Sequence, residues 1–109
     1  MENIYNDIPE DLPEELFETL LANGAYKIER IVSRGHATPH GRWYDQETDE
    51  WVILLKGGAG LKLAGQVETV VMAPGDYLFL PAHLKHRVEW TDREKETVWL
   101  AVHQQQAAG

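Results

Sequence analysis

Glu50 and His86 are two side chains in this 109-residue sequence whose type and position together suggest chemistry. Glu50 opens the apolar run Trp51–Leu55, and His86 opens the alternating stretch His86–Thr91. Both stretches read as β-strands, in which side chains of equal parity share a face. Glu50 therefore travels with Val52 and Leu54, and His86 with Val88 and Trp90. These apolar neighbours belong in a core. A carboxylate and an imidazole carried in with them should pair with each other, bind a metal or bind a ligand, because unpaired burial is costly. Asp45 precedes a turn-like Gln46–Asp49 stretch, and His83 sits at a loop-to-strand junction three residues before His86. Both are placed to approach the same mouth. Two carboxylates and two imidazoles form a mixed N/O set that suits Fe(II), Mn(II), Ni(II) or Zn(II) without choosing among them. With no cysteine in the chain, a thiolate ligand, a cysteine nucleophile and a disulfide framework are excluded.

Each of these residues also has an ordinary structural role available. Asp45 suits a turn, and His83 suits an exposed loop. His36 and His40 flank Pro39 in the Gly35–Gly41 loop, and His103 near the C-terminus reads as structural or exposed. Arg42, Arg87 and Lys56 lie near the same segments and either recognise an anionic substrate or are simply solvated.

The elements that must position these groups are mostly strands. Ala25–Ser33, Trp51–Leu55, Leu61–Ala64, Val67–Ala73, Tyr77–Leu80, His86–Thr91 and Thr97–His103 are short, strand-like and separated by Gly or Pro turns. Gly57-Gly58-Ala59-Gly60 reads as a hairpin turn between two of them, and Pro74-Gly75 as a type II turn. Before them, Asp11 suits an N-cap region, Pro13 a first helical position, and Glu14 and Glu15 a first turn. Leu16, Phe17, Leu20 and Leu21 then form one apolar face, and Asn23-Gly24 is a helix stop. The expectation is a short N-terminal helix within an acidic segment 1–24, an all-β antiparallel barrel over 25–103, and a frayed tail over 104–109.

The sequence resembles the cupin family, in particular small single-domain bacterial cupins. The family's first motif ends in a Glu, six residues and a Gly, matched by Glu50 and Gly57. Its second motif is matched in spacing by Gly75, Pro81 and His86, with Pro74-Gly75-Asp76 leading into the strand. The resemblance covers roughly residues 26–103 and implies a jelly-roll (double-stranded β-helix) barrel. There are departures. The His-x-His pair expected before Glu50 falls on Trp43 and Asp45 in one spacing and on Tyr44 and Gln46 in the other. His83 stands where the motif has Gly, and Trp90 where it has Asn. The resemblance thus carries over only Glu50 and His86 as ligands. Trp43 and Trp90, replacing polar motif positions, would narrow the pocket with apolar walls.

Composition bounds the partners. The formal charge is −8, yet residues 1–18 hold seven acids and no base, and the body is nearly neutral. No basic face suggests a nucleic-acid partner, and no apolar run approaches a membrane span. The acidic N-terminus lacks a signal-peptide pattern, and the lack of cysteine fits a cytoplasmic chain. Three functional readings remain. The first is a metal-dependent cupin acting on a small polar molecule, with Glu50 and His86 anchoring the ion and Asp45 and His83 completing it. The second is a metal-free binding or sensory module using the same pocket. The third is a homodimeric interaction module.

Overall fold

A computed structural model describes residues 1–104. Eight strands form two antiparallel sheets: β1 (Leu16–Ala22), β2 (Tyr26–Ser33), β3 (Asp49–Lys56), β4 (Ala59–Leu63), β5 (Val70–Met72), β6 (Tyr77–Leu80), β7 (His86–Thr91) and β8 (Thr97–Gln104). The larger sheet has the order β1-β2-β8-β3-β6 and the smaller the order β5-β4-β7. The core lies between them. Val52 and Leu54 of β3, Leu80 of β6, and Trp99 and Ala101 of β8 meet Ala59, Leu61 and Leu63 of β4 and Met72 of β5. Leu54 is wholly buried. Truncating such a side chain to Ala costs about 2–5 kcal/mol, through lost transfer energy and the cavity left behind.

The expected N-terminal helix is a strand. Residues Leu16–Ala22 form β1, paired antiparallel with β2 from Leu16↔Val32 to Ala22↔Lys27. The run is too short for a self-sustaining helix, and it covers the otherwise open edge of β2. The flanking acids act accordingly. Glu18 accepts from Arg30 Nε at 2.7 Å, and Glu15 accepts from the Ser33 hydroxyl. The Arg30 guanidinium also donates to the carbonyls of Ile4 (3.0 Å), Asn6 (2.6 Å) and Asp7 (3.3 Å), strapping the leading segment to β2. These acids tie strands together instead of capping a helix.

The Gly57–Gly60 stretch is not a hairpin either. It crosses between sheets: β3 pairs with β6 and β8, and β4 with β5 and β7. Gly57 has φ +89, and a Cβ there would lie 2.4 Å from the Thr97 hydroxyl. The crossing therefore depends on glycine. Pro74-Gly75 does form the expected turn. Gly75 has φ +94, and Asp76 N–H donates to the Ala73 carbonyl at 3.0 Å.

The segment before β3 completes the small sheet's β7 side. Thr38 and Val88 exchange hydrogen bonds, and Tyr44 and His86 exchange backbone bonds of 2.7 and 3.1 Å. Arg87 reinforces this by donating to the carbonyls of Thr38, Pro39 and Arg42. This segment places Tyr44 against His86 and Gln46 beside Glu50.

Candidate functional site

Glu50 on β3 and His86 on β7 both face the space between the sheets, each only 6% exposed. Register explains this. Glu50 pairs with Leu80 and His103, and His86 pairs with Leu63, so each sits in the inward row of its strand. His86 Nδ1 lies 2.9 Å from the Leu84 carbonyl, which can only accept. Nδ1–H therefore donates to that carbonyl, and Nε2 is the ring nitrogen turned toward Glu50. Glu50 Oε1 is 4.0 Å from that Nε2, beyond hydrogen-bond reach. Burial pushes the Glu50 carboxyl above its ordinary value, partly opposed by His103 and His86.

A second carboxylate–imidazole pair lies beside the first. His103 Nε2 is 2.8 Å from Glu29 Oε1. This bond holds the Glu29 carboxyl below its ordinary value and, from the other side, pushes His103 upward. His103 enters because it is the cross-strand partner of Glu50. Glu29 sits opposite Ala101 on the same inward row. The sequence reading left His103 as structural or exposed and did not single out Glu29. The parity signal was available: His103, Ala101 and Trp99 alternate with Val102 and Leu100.

The two pairs line one cavity of about 70 Å³. Its floor and walls are apolar, from Val52, Leu61, Leu80 and Val88. Tyr44 stacks on His86 with ring centroids 5.6 Å apart, and Trp99 and Phe17 supply further aromatic surface. Glu15 and Gln46 complete the polar lining. Burial pushes the Tyr44 hydroxyl upward, so it stays a neutral donor.

The other expected site residues lie outside this cavity. Asp45 and His83 meet each other, Oδ1 to Nδ1, at 2.9 Å, with side chains 44% and 67% exposed. His83 takes φ +67, a left-handed conformation that favours glycine, the residue the cupin motif has at this position. Trp43 is exposed, with the Arg87 guanidinium carbon 6.0 Å from its ring centroid. Trp90 is exposed and lies over Gly60, where a Cβ would come within 2.2 Å of the indole nitrogen. Its shared face with His86 and Val88 is broken by a β-bulge. Leu61 pairs with Val88 but Gly60 with Trp90, leaving Glu89 as the extra residue. The bulge turns Trp90 outward and Thr91 inward. Tyr44 and Trp99, not Trp43 and Trp90, are the aromatic walls. Lys56 pairs with Glu96, and Arg42 is exposed.

A resident divalent ion needs three or four donors converging at bonding distance. Glu50 and His86 face each other, but Asp45 and His83 are engaged at the surface. Tyr44 and Gln46, not Trp43 and Asp45, occupy the His-x-His positions that border the cavity. Among the described residues, no group of three or more His, Asp or Glu side chains is placed to hold a metal ion. The donor set does not fit one. Nor, among the described residues, is any helix long and apolar enough to cross a membrane.

Comparison with known proteins agrees with this architecture. A family model described as a cupin domain matches residues 31–103. A solved structure from Ralstonia eutropha JMP134, carrying the provisional name mannose-6-phosphate isomerase, is 48% identical with a TM-score of 0.93, covering 97% of this chain and 98% of that one. A cupin superfamily protein from Desulfitobacterium hafniense DCB-2 is 17% identical with a TM-score of 0.73, covering 91% and 84%. An RmlC-like cupin with a double-stranded β-helix fold from Methanocaldococcus jannaschii is 20% identical with a TM-score of 0.70, covering 91% and 87%. No curated protein matches the chain.

Proposed function

The chain belongs to the cupin family, and from that premise we propose that it binds a small polar molecule between its sheets without a resident metal. One observation carries this reading. Two carboxylate–imidazole pairs, Glu50–His86 and Glu29–His103, line a single cavity, while the donors that would complete a metal site are turned to the surface. A pocket with apolar walls and a few placed polar groups is the usual form of a small-molecule site. Glu50, His86, His103 and Tyr44 can orient a ligand through hydrogen bonds, and no step needs a Lewis acid.

The provisional name of the Ralstonia eutropha neighbour raises a phosphosugar as an alternative ligand. The lining argues against it. Phosphate recognition relies on Arg, Lys or clustered N–H donors, and among the described residues no Lys or Arg lines this cavity. Lys27, which does not line the cavity, is already 3.5 Å from Glu29. The metal question is settled by elemental analysis of protein purified without an affinity tag, beside a Glu50→Ala/His86→Ala variant. Sub-stoichiometric metal in both is the expected result. Stoichiometric metal in the native protein that disappears in the variant would overturn the metal-free reading.

A homodimer is a second reading, favoured by a separate observation. The outer face of the larger sheet carries Trp51, Tyr77 and Phe79, with Tyr77 67% and Phe79 56% exposed. The run Trp51–Leu55 is apolar on both faces of its strand, whereas an antiparallel sheet that faces water usually alternates. The mass in solution tests this directly, and a monomer would dismiss it.

A further inference from the structure

The cavity is small and has a much larger neighbour. Its volume of about 70 Å³ holds roughly five waters at 10–15 Å³ each, and so a molecule of only a few heavy atoms. Beside it lies an open recess of about 450 Å³. Phe17, Glu29, Gln46 and His103 line both spaces, so these four residues stand between them. Three of the four are held in place. Glu29 and His103 bind each other at 2.8 Å, and the Gln46 carbonyl accepts from His83 N–H at 2.8 Å. Phe17 differs. It is 50% exposed, and a phenyl ring has no polar group with which to make a fixing bond. Its strand, β1, is the outermost of the larger sheet, with β2 as its only strand partner, and five of its seven residues are exposed. The backbone beneath the ring is nonetheless pinned on both sides. Glu15 accepts from the Ser33 hydroxyl, and Glu18 accepts from Arg30. The ring is therefore the movable part on a fixed strand, and exposed side chains change rotamer in picoseconds to nanoseconds. Along its cross-strand row stand Ile31 of β2 and Trp99 of β8, and both line the cavity.

Resting on the reading of this cavity as a small-molecule site, we propose that Phe17 is its gate and size filter. Ligands reach the cavity from the recess, past this ring, and the ring sets the largest group admitted. A ring swung away from Ile31 uncovers the row that leads to Trp99, and a ring lying over it closes that row. The selection is steric: a bulky group is refused by collision with the phenyl ring, without any contact matched to the accepted one. Such gating by a surface element is a common way to control entry to a closed site. A ligand longer than a few heavy atoms places its head in the cavity and leaves the remainder in the recess, beside Phe17, Gln46 and Thr48. The site then has two compartments, and Phe17 is the specificity-determining residue between them.

The test uses the lack of cysteine in the chain, which makes any introduced thiol unique. Val52 is buried and lines the cavity, whereas Val98 is wholly buried and lies outside its lining. Val52→Cys and Val98→Cys are treated with methyl and benzyl methanethiosulfonate, which differ in the size of the group transferred, and labelling is timed by mass spectrometry. The methyl reagent is expected to label Val52→Cys at least tenfold faster than Val98→Cys, and the benzyl reagent to be at least tenfold slower than the methyl at Val52→Cys. Adding Phe17→Ala should raise the benzyl rate at Val52→Cys about tenfold and narrow its gap from the methyl rate. Phe17→Trp should slow both reagents there. Neither variant should change the rates at Val98→Cys. Rates at Val52→Cys that are indifferent to Phe17 would overturn the gate and leave the small-molecule reading standing. Equal acceleration of both thiols by Phe17→Ala would also overturn the gate, by tracing access to opening of the whole core. Labelling of Val52→Cys by the methyl reagent no faster than that of Val98→Cys would show a cavity closed to solutes and overturn both.

Discussion

Among the described residues, three carboxylate–imidazole pairs differ mainly in depth. Asp45 and His83 meet at 2.9 Å on the surface. Glu29 and His103 meet at 2.8 Å on the cavity wall, and Glu50 and His86 face each other at 4.0 Å in the interior. The shortest separations do not mark the strongest consequences. At the surface, water screens the pair and an ion pair is worth about 0–1 kcal/mol. On the cavity wall, the same hydrogen bond moves both partners' protonation equilibria toward the ionised forms. In the interior, desolvation prevails and drives Glu50 toward its neutral form despite two nearby imidazoles. Burial, more than proximity, decides which pair has chemical leverage.

The largest expected effect comes from converting the interior into what it lacks. Tyr44 and Gln46 border the cavity beside Glu50 and His86. Tyr44→His/Gln46→His would bring three imidazoles and one carboxylate to one place. Cobalt(II) titration followed by its visible spectrum should show stoichiometric binding in the double variant and at least hundredfold weaker binding in the native chain. Equal binding by the native chain would mean that the interior already holds a metal set. Next in size is the cavity-wall pair. His103→Ala leaves the Glu29 carboxylate, 9% exposed at its side chain, without its main partner. Breaking a hydrogen bond to a charged group costs about 1.5–3 kcal/mol, so urea denaturation should show a loss of that order. Asp45→Ala should stay within about 0.5 kcal/mol of the native chain. Equal losses in the two variants would erase the distinction of depth.

The pH dependence follows with a smaller amplitude. His103 is raised in the folded protein, so its stabilisation is complete below its unfolded value of 6.5 and fades as pH rises through its folded value. Glu50 is also raised, so the folded state binds an extra proton above 4.5, and stability falls as pH climbs through the folded value. Glu29 is lowered and acts in the opposite sense, its stabilisation being lost on acidification below 4.5. Stability should therefore decline from mildly acidic to mildly alkaline pH. Glu50→Gln should flatten that slope while leaving the acid limb set by Glu29. A profile unchanged in Glu50→Gln would show that the buried carboxyl titrates alike in folded and unfolded chains.

Much of this arrangement was legible in the sequence. Strand parity placed Glu50 with Val52 and Leu54 and predicted its burial, and the glycine and proline turns marked off the strands from β2 to β8 along the chain. Non-local facts were not legible. A single-strand pattern cannot say that Gly57 crosses between sheets, because pairing partners lie elsewhere in the chain. The run Leu16–Leu21 satisfied a helical spacing, and only the open edge of β2 made it a strand. One bulge residue, Glu89, reversed the face of Trp90. His103 was discounted for lying near the chain end, although its alternation with Val102 and Leu100 aimed it inward.

The smallest expected effect is at His83, and it tests whether the surface pair has a purpose of its own. A non-glycine residue at φ +67 carries about 1–2 kcal/mol of backbone strain. His83→Gly removes that strain, offset by about 0.5–1 kcal/mol of extra unfolded-chain entropy. It also forfeits an exposed contact to Asp45 worth about 0–1 kcal/mol. These nearly cancel, so thermal unfolding of His83→Gly should match the native chain or rise slightly, by about 0.5 kcal/mol. A gain with unchanged ligand affinity would leave the strained histidine serving neither stability nor the cavity. A loss above about 1 kcal/mol would show that Asp45–His83 anchors the loop before β7, and the contrast between surface and interior pairs would then be one of role as well as depth.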